Sequence, residues 1–418
     1  KRINDTYGHA TGDALLAQFC QRVMGCLREE DKVYIRNRCV NFARLAGDEF
    51  ALAILDVADQ SSAEHIARRI FERLSSPFSL PGTEVRVHAS IGILYIEAIE
   101  QPADALLIQA DKAMYYAKQR GKNQYQFFDA RLAEAISERK RIEMGLTRAV
   151  NENAFDLVFM PIVDTQTLRI VGAEALLRCS DEQLAGVAPE SYILVAEQQG
   201  LIREIDLLVL EKAFSRIAAI ESDPRYDHLT FAINISAIEL HNQGFPARLS
   251  KLLVEHDIPP RRIELEITET ALIAQDEASL AVLHELRAIG VGLSLDDFGT
   301  GYIAFNQLMN YPVGQLKIDR SFINALSECG PSDRSLVDIV IALAHHFDID
   351  VVAEGVETIE QLEYLKARRC RYAQGFLFSR PLPWSQFIAL CQSHGALDQG
   401  GAAVSPLSVG TKRLNIVS

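Results

Sequence analysis

At 418 residues the chain is long enough for two domains, and an apolar fraction of 48% can fill a sizeable core. A formal charge of −14 argues against a nucleic-acid backbone or an anionic membrane as a general partner, while leaving room for a phosphate ligand in a locally basic or metal-lined pocket. The seven cysteines (Cys20, Cys26, Cys39, Cys179, Cys329, Cys370, Cys391) are scattered, odd in number and never spaced Cys-x-x-Cys, which reads as reduced cytosolic thiols without a zinc site. No apolar run reaches the roughly 18 residues of a membrane span, and no signal peptide is recognisable. The chain starts at Lys1 in what reads as mid-domain. The expectation is a cytoplasmic C-terminal part of a longer sensor protein, a membrane-anchored one among the alternatives.

Residues 13–27 read as a helix, 50–55 as a short apolar strand and 62–74 as a helix. Residues 85–94 alternate as a strand does (Val85, Val87, Ala89, Ile91). Over 103–119, helical spacing puts Leu106, Ala110, Ala113, Met114 and Ala117 on one face, with Gly121 as the stop. Residues 128–152 are charged and helix-prone (Glu134, Glu138, Arg139, Lys140, Arg141, Glu143), which predicts a connecting helix between a first domain at 1–127 and a second at 153–395. In the second domain apolar runs recur at 157–163, 171–177, 229–235, 263–267, 291–295, 315–318, 350–353 and 372–378, with helical stretches between them. Strands alternating with helices over this length predict a (β/α)8 barrel. After about residue 393 the chain turns to Gly, Ala and Ser without periodicity, and 396–418 is expected to be a disordered tail.

The chemistry concentrates where the apolar runs end. Asp296 and Asp297 follow the run at 291–295, and glycines follow at once. Two adjacent acids repel by ~4 kcal/mol when close and partly buried, so a strand tip has no structural use for them. A divalent cation removes that problem, because hard cations take carboxylate oxygens. Glu174 lies in the second run, Asn234 ends the third and Glu266 the fourth, with Glu269 just beyond. Lys317 and Asp319 end the sixth, Glu354 the seventh with Glu357 beyond, and Gln374 opens the eighth. In a barrel, C-terminal strand ends converge on one face. Glu174, Glu266, Asp296, Asp297 and Glu354, with the amide oxygen of Asn234, would then share one bowl. Two Mg²⁺ or Mn²⁺ ions together with Lys317 would balance the five carboxylates. That is the composition of a two-metal phosphodiester site, in which one metal activates water and both clamp the phosphate. An acid at a strand end facing solvent explains any single member, but not six polar groups on successive strand ends.

Glu174-Ala175-Leu176-Leu177-Arg178 resembles the signature of the EAL-domain cyclic di-GMP phosphodiesterases. The rest of that pattern is present in Asn234-Ile235-Ser236, Glu266-Ile267-Thr268-Glu269, Asp296-Asp297-Phe298-Gly299-Thr300-Gly301-Tyr302, Lys317-Ile318-Asp319-Arg320-Ser321-Phe322, Ala353-Glu354-Gly355-Val356-Glu357-Thr358 and Gln374-Gly375-Phe376. The resemblance covers about residues 150–395 and implies a modified (β/α)8 TIM-like barrel with one antiparallel strand, an α/β fold. It implies that Glu174, Asn234, Glu266 and Asp296 bind a first metal, and that Asp296, Asp297 and Glu354 bind a second, with Asp296 bridging. Lys317 would contact the attacking water, and Gln374 would help place it. Arg178 would grip a substrate phosphate, and Leu176 and Asp319 would also line the substrate. Glu269 and Glu357 would brace these groups from behind. The loop after Asp297 would contribute to a homodimer interface. Two departures stand out: Met160-Pro161 where the family usually has Gln-Pro, and Ile303-Ala304 where serines usually follow.

The N-terminal part resembles a GGDEF (diguanylate cyclase) domain of α+β type, here partial. Ile3-Asn4-Asp5-Thr6-Tyr7-Gly8-His9 and Gly12-Asp13 match its nucleotide region, and Ala46-Gly47-Asp48-Glu49-Phe50 occupies its signature hairpin. The resemblance implies GTP contacts at Asn4, Asp13, Asp48, Lys118 and Lys122. Ala46 replaces the first signature glycine, and a methyl group there obstructs close backbone approach. Asn37-Arg38-Cys39-Val40 stands where an inhibitory Arg-x-x-Asp would be, and the family's first strand, which carries a metal-binding Asp, would lie before Lys1. The sequence therefore predicts a metal-dependent enzyme that opens cyclic di-GMP to linear pGpG. Its N-terminal domain would make no product from GTP and would act as a GTP-binding regulator or a spacer. The alternatives are a non-catalytic cyclic di-GMP receptor and a bifunctional cyclase/phosphodiesterase.

Overall fold

The computed structural model describes residues 6–26, 42–54, 57–80, 83–98, 100–272, 277–299, 310–328 and 331–397. The chain divides into two compact units, Lys1–Arg139 and Lys140–Ser418.

In the first unit, helix His9–Cys26 precedes strands β1 (Phe42–Ala46) and β2 (Glu49–Leu52). Helix Gln60–Ser75, strands β3 (Phe78–Leu80), β4 (Thr83–Val85) and β5 (Ile91–Ile93), helix Ala103–Gln119 and strand β6 (Tyr125–Phe127) follow. Asp59 caps helix Gln60–Ser75 by accepting the Ser62 N–H at 2.7 Å, and Ile66, Ile70 and Leu74 recur at helical spacing on its buried face. They pack with Leu15, Val23 and Cys26 from helix His9–Cys26 and with Phe78 and Leu80. β1 and β2 form an antiparallel hairpin that turns at Gly47 and Asp48.

The alternating stretch at 85–94 is not one strand. β4 pairs with β3 antiparallel, while β5 pairs with β6 parallel. Gly92 explains the second choice: a Cβ there would lie 1.9 Å from the Ala110 carbonyl oxygen, so the bare backbone lets helix Ala103–Gln119 close onto β5. The alternation at 85–91 recorded which side chains are half-buried, not a continuous ladder.

Helix Ala130–Asn151 runs across the division between the units. The second unit then supplies β7 (Phe155–Asp164), β8 (Ile170–Cys179), β9 (Thr230–Asn234), β10 (Ile263–Thr268), β11 (Gly292–Phe298), β12 (Gln315–Ile318), β13 (Asp350–Ala353), β14 (Tyr372–Ala373) and the short β15 (Leu382–Pro383). Neighbours from β8 to β14 are parallel, and β7 is antiparallel to both β8 and β14. The β14–β7 pairing closes an eight-stranded barrel. β15 adds to the other part of β7 through Leu382↔Phe159.

Side-chain alternation sorts the two faces of the barrel wall. Phe231, Ile233, Leu265, Ile267, Leu293 and Leu295 point outward into the core shared with the helices. Ile162, Ala232 and Val352 form a separate small cluster within, joined by Val171 and Tyr372. The polar residues Glu266 and Lys317 share that inward set, which is how the barrel comes to bury them. The eighth run, 372–378, is strand only at its first two residues. Gly375 ends it: a Cβ there would lie 2.1 Å from the Val356 carbonyl oxygen, so the chain turns against that loop instead of extending.

Helix Trp384–Leu397 continues past residue 393 and takes in residues 396 and 397, the first of the expected tail. Its Phe387 is fully buried and stacks on Phe159 of β7, which anchors the helix. Residues 398–418 lie outside the described residues, as do Asn4, Asn37-Arg38-Cys39-Val40 and Ile303-Ala304. Among the described residues no helix is long and apolar enough to cross a membrane.

Candidate active site

The inward positions of β8 to β13 and the turns after β13 and β14 bring eight of the singled-out residues together. Lys317, 1% exposed on β12, is the hub. Its Nζ lies 2.7 Å from Glu354, 2.8 Å from Glu266, 3.1 Å from Asp296 and 3.2 Å from Glu174. The Asn234 amide nitrogen donates to Glu174 at 3.0 Å and to Glu266 at 3.1 Å. Gln374 donates to Glu174 at 2.7 Å and to Glu354 at 2.9 Å. Asp296, Asp297 and Glu354 each present an oxygen within 4.8 Å of the others.

Local conformation sets these directions. Asp297 has a φ of 55°, a left-handed conformation that Asp tolerates better than most residues, and this turns it out of the strand's alternation. Two neighbouring carboxylates can then reach one point from successive positions. Glu269, 2% exposed, accepts the Gly299 N–H at 3.2 Å and so holds the backbone just beyond Asp297. Leu176 and Arg178 follow Glu174 on the same face of β8 and are half-buried. Asp319 caps helix Arg320–Glu328, accepting the Ser321 N–H at 2.9 Å and the Ser321 hydroxyl. Glu357 has an exposed side chain. Met160, buried on β7, stands opposite Glu174 in the ladder.

The electrostatics show an acid excess. Burial, then the neighbouring Glu174 charge, pushes Glu266 well above the usual carboxylate range. Burial pushes Glu354 up to about 7, with Asp296 and Glu174 adding to it against the pull of Lys317. Burial and then Asp296 and Asp319 push Asp297 up to about 6. Burial opposes ionisation of Glu174 as well, yet Lys317 and the bond from Gln374 hold it below its usual value. Lys317 itself is raised despite burial, because four carboxylates surround it. Five acids against one ammonium leave a formal charge of −4. The Gln374 Oε1 is buried with no hydrogen-bond partner. Hard oxygen donors in such excess over positive charge fit divalent cations.

Two residues here were not anticipated. Asp206, 7% exposed, accepts the Ser236 hydroxyl at 2.5 Å just beyond Asn234, and burial pushes it up to about 7. Nothing local in the sequence signals it, since the contact joins a helix to a distant strand end. Gln361 ties the turn after Glu354 to its neighbours, and Thr358-x-x-Gln361 carries the visible pattern of a capping box. In the first unit, Asp13, Asp48, Lys118 and Lys122 are all exposed.

Residues 144–381 match the EAL domain family, and residues 1–124 match the diguanylate cyclase GGDEF domain. The chain is similar to the bifunctional diguanylate cyclase/cyclic di-GMP phosphodiesterase MucR of Pseudomonas aeruginosa, at 36% identity over 93% of this chain and 55% of that protein. It is also similar to the cyclic di-GMP phosphodiesterase NbdA of the same organism, at 32% identity over 92% of this chain and 47% of that protein. The chain thus spans about half the length of the curated relatives it matches. Among solved structures, the PaMucR phosphodiesterase in complex with c-di-GMP superposes with a TM-score of 0.56 at 34% identity, covering 59% of this chain and 99% of that one.

Proposed function

The chain belongs to the EAL domain family, with a GGDEF domain ahead of the barrel, and on that premise we propose that it hydrolyses cyclic di-GMP to linear pGpG. The observation that carries this reading is the convergence of Glu174, Glu266, Asp296, Asp297 and Glu354 around Lys317 at the C-terminal ends of the barrel strands. Glu174, Asn234, Glu266 and Asp296 would hold one divalent cation, and Asp296, Asp297 and Glu354 a second, Mg²⁺ or Mn²⁺ in each case. When bound, the cations supply Lewis acidity at the scissile phosphate and a water that is reactive at neutral pH. Asn234 would turn its amide to offer oxygen, since its nitrogen now donates to Glu174 and Glu266. Lys317 stays protonated and offers a fixed positive charge to the incoming water and the phosphate. Arg178 suits bidentate contact with a phosphate oxygen, with Leu176 and Asp319 beside the substrate. Water adds to phosphorus, one P–O3′ bond breaks, and the 3′ oxygen leaves with a proton, giving one ring-opened product.

A receptor that binds without cutting would be expected to lack one of these acids, and all of them are present and converge. Incubation with cyclic di-GMP should yield pGpG with Mg²⁺ or Mn²⁺ and little with Ca²⁺, whose longer, looser coordination activates water poorly. Comparable turnover in Ca²⁺ after removal of other metals would contradict the two-metal reading. Binding without pGpG in any metal would favour the receptor.

For the GGDEF domain we propose a cytoplasmic regulator that binds GTP through Asn4, Asp13, Asp48, Lys118 and Lys122 and makes no cyclic di-GMP itself. Ala46 at the hairpin supports the lack of synthesis, since it adds a methyl group at the signature turn where the family has glycine. The combined name of the MucR relative makes a bifunctional protein the second reading. With hydrolysis blocked by Glu174→Gln, cyclic di-GMP appearing from GTP and Mg²⁺ would favour that second reading. We also propose a homodimer through the barrel domain near the Asp297 loop, and full activity of a strict monomer in light scattering would exclude a required dimer.

A further inference from the structure

Gln361 is 4% exposed, and both ends of its amide are engaged. Its Oε1 accepts the N–H of Glu357 at 2.8 Å and of Thr358 at 3.0 Å. Its Nε2 donates to the Ile323 carbonyl at 3.1 Å, across 38 residues of sequence and within helix Arg320–Glu328. The first pair of bonds goes beyond an ordinary capping box, because it takes in the residue before the cap as well. The third bond leaves helix Ile359–Ala367 altogether. One side chain therefore joins the turn that carries Glu354 to the helix that begins just after Lys317 and Asp319.

The two segments have no slack between them. Glu354 N–H donates to the Ile318 carbonyl at 3.0 Å, and Val356 N–H to the Gln374 carbonyl at 3.0 Å, so the near side of the turn is set by the sheet. Gly355, with φ of 67°, passes so close to Arg320 that a Cβ would lie 2.5 Å from the Arg320 Cβ. At the far side of the turn, the backbone N–H groups of Glu357 and Thr358 are both held by the Gln361 side chain. If helix Arg320–Glu328 shifted, Gly355 would lose its seat, and the Glu354–Lys317 contact at 2.7 Å would lengthen. We propose that Gln361 is a positioning residue that fixes Glu354 against Lys317, and with it the spacing of the carboxylates for their cations. The inference rests on the hydrolytic reading above for its kinetic consequence, but not for its geometric one.

Three variants test it in the full chain. Gln361→Met keeps the length and removes all three bonds. Gln361→Glu keeps both acceptor bonds and loses the donor to Ile323. Leu365→Ala, at a fully buried site on the same helix, lowers stability without touching the turn. Misplacement of reacting groups by about an ångström costs up to about 100-fold, so kcat of Gln361→Met is expected to fall about 10- to 100-fold. KM should move by less than about threefold, the pattern of a lost transition-state interaction. Gln361→Glu should fall between it and the wild type. Mn²⁺ titration followed by electron paramagnetic resonance should show weaker binding in Gln361→Met. Leu365→Ala should lower Tm at least as much, yet keep kcat and Mn²⁺ binding when assayed below its Tm. Unchanged Mn²⁺ binding in Gln361→Met, or the same loss in Leu365→Ala at equal loss of Tm, would overturn the proposal. If the wild type failed to hydrolyse cyclic di-GMP, the hydrolytic reading would fall, while the Mn²⁺ comparison would still judge Gln361.

Discussion

Asp296→Asn is expected to abolish hydrolysis while leaving the barrel folded. Asp296 is the acid common to both proposed cation sets, and its oxygen also meets Lys317 at 3.1 Å. An amide in its place keeps shape and one acceptor oxygen but removes the charge that would be shared between two cations. Metal-ion catalysis contributes several kcal/mol of charge stabilisation, and each 1.36 kcal/mol is tenfold in rate, so a loss of about 10³-fold or more follows. Stability should move the other way in the metal-free protein. Asp296 adds to the ionisation cost of Asp297, Glu266 and Glu354, and neutralising it relieves all three. The expected pattern is a Tm in chelator equal to or above that of the wild type, with a smaller rise on adding Mg²⁺, because a ligand stabilises in proportion to its affinity for the folded state. A variant that kept more than a few per cent of wild-type turnover would refute the shared role of Asp296.

Lys317→Met should show the opposite dependence. Its ammonium stands within 3.2 Å of four carboxylates at almost full burial. Removing one partner of a buried ion cluster typically costs about 3–5 kcal/mol, because the remaining charges have lost their compensation. In chelator the variant is expected to unfold at a markedly lower temperature or to require lower pH, where the carboxylates take up protons. The sign follows from Glu266 and Glu354, whose raised values mean that the folded state binds protons more tightly than the unfolded one. Their contribution is therefore present at low pH and lost as pH rises, for Glu354 through about 7. Mg²⁺ or Mn²⁺ should restore much of the lost stability without restoring activity. Thermal unfolding in chelator and in Mn²⁺ checks this, and a metal-free Tm equal to the wild type would show that Lys317 does not compensate the acids.

Much of the barrel was legible because burial on both faces leaves a plain record. Strands covered by helices read as near-continuous apolar runs, and seven of the eight runs are strand over most of their length, the eighth only at its first two residues. The run at 372–378 misled because Phe376 and Phe378 are apolar for a different reason: they follow a turn that Gly375 makes against Val356, and only Phe378 is buried. The run at 85–94 misled because alternation reports half-burial and is silent on which partner a strand takes. Helix Trp384–Leu397 runs past the loss of periodicity near residue 393, and its first turn is fixed by Phe387 on Phe159, a contact no local window contains.

The identity and order of these acids at the strand ends are properties of the sequence alone. Their mutual distances were decided by closure. Glu174 and Gln374 lie 200 residues apart and bond at 2.7 Å because β14 pairs with β7 and shuts the barrel. The same closure lets one lysine meet four acids at once and pushes Glu266 and Glu354 out of their ordinary range. Charge and residue type are properties of the chain, but the energy of an ionised group depends on its distance from every other charge and from water. That is why the residue types at the strand ends could be read from the sequence, whereas the bonds from Gln361 to Ile323 and from Ser236 to Asp206, which join distant segments, appeared only in the folded molecule.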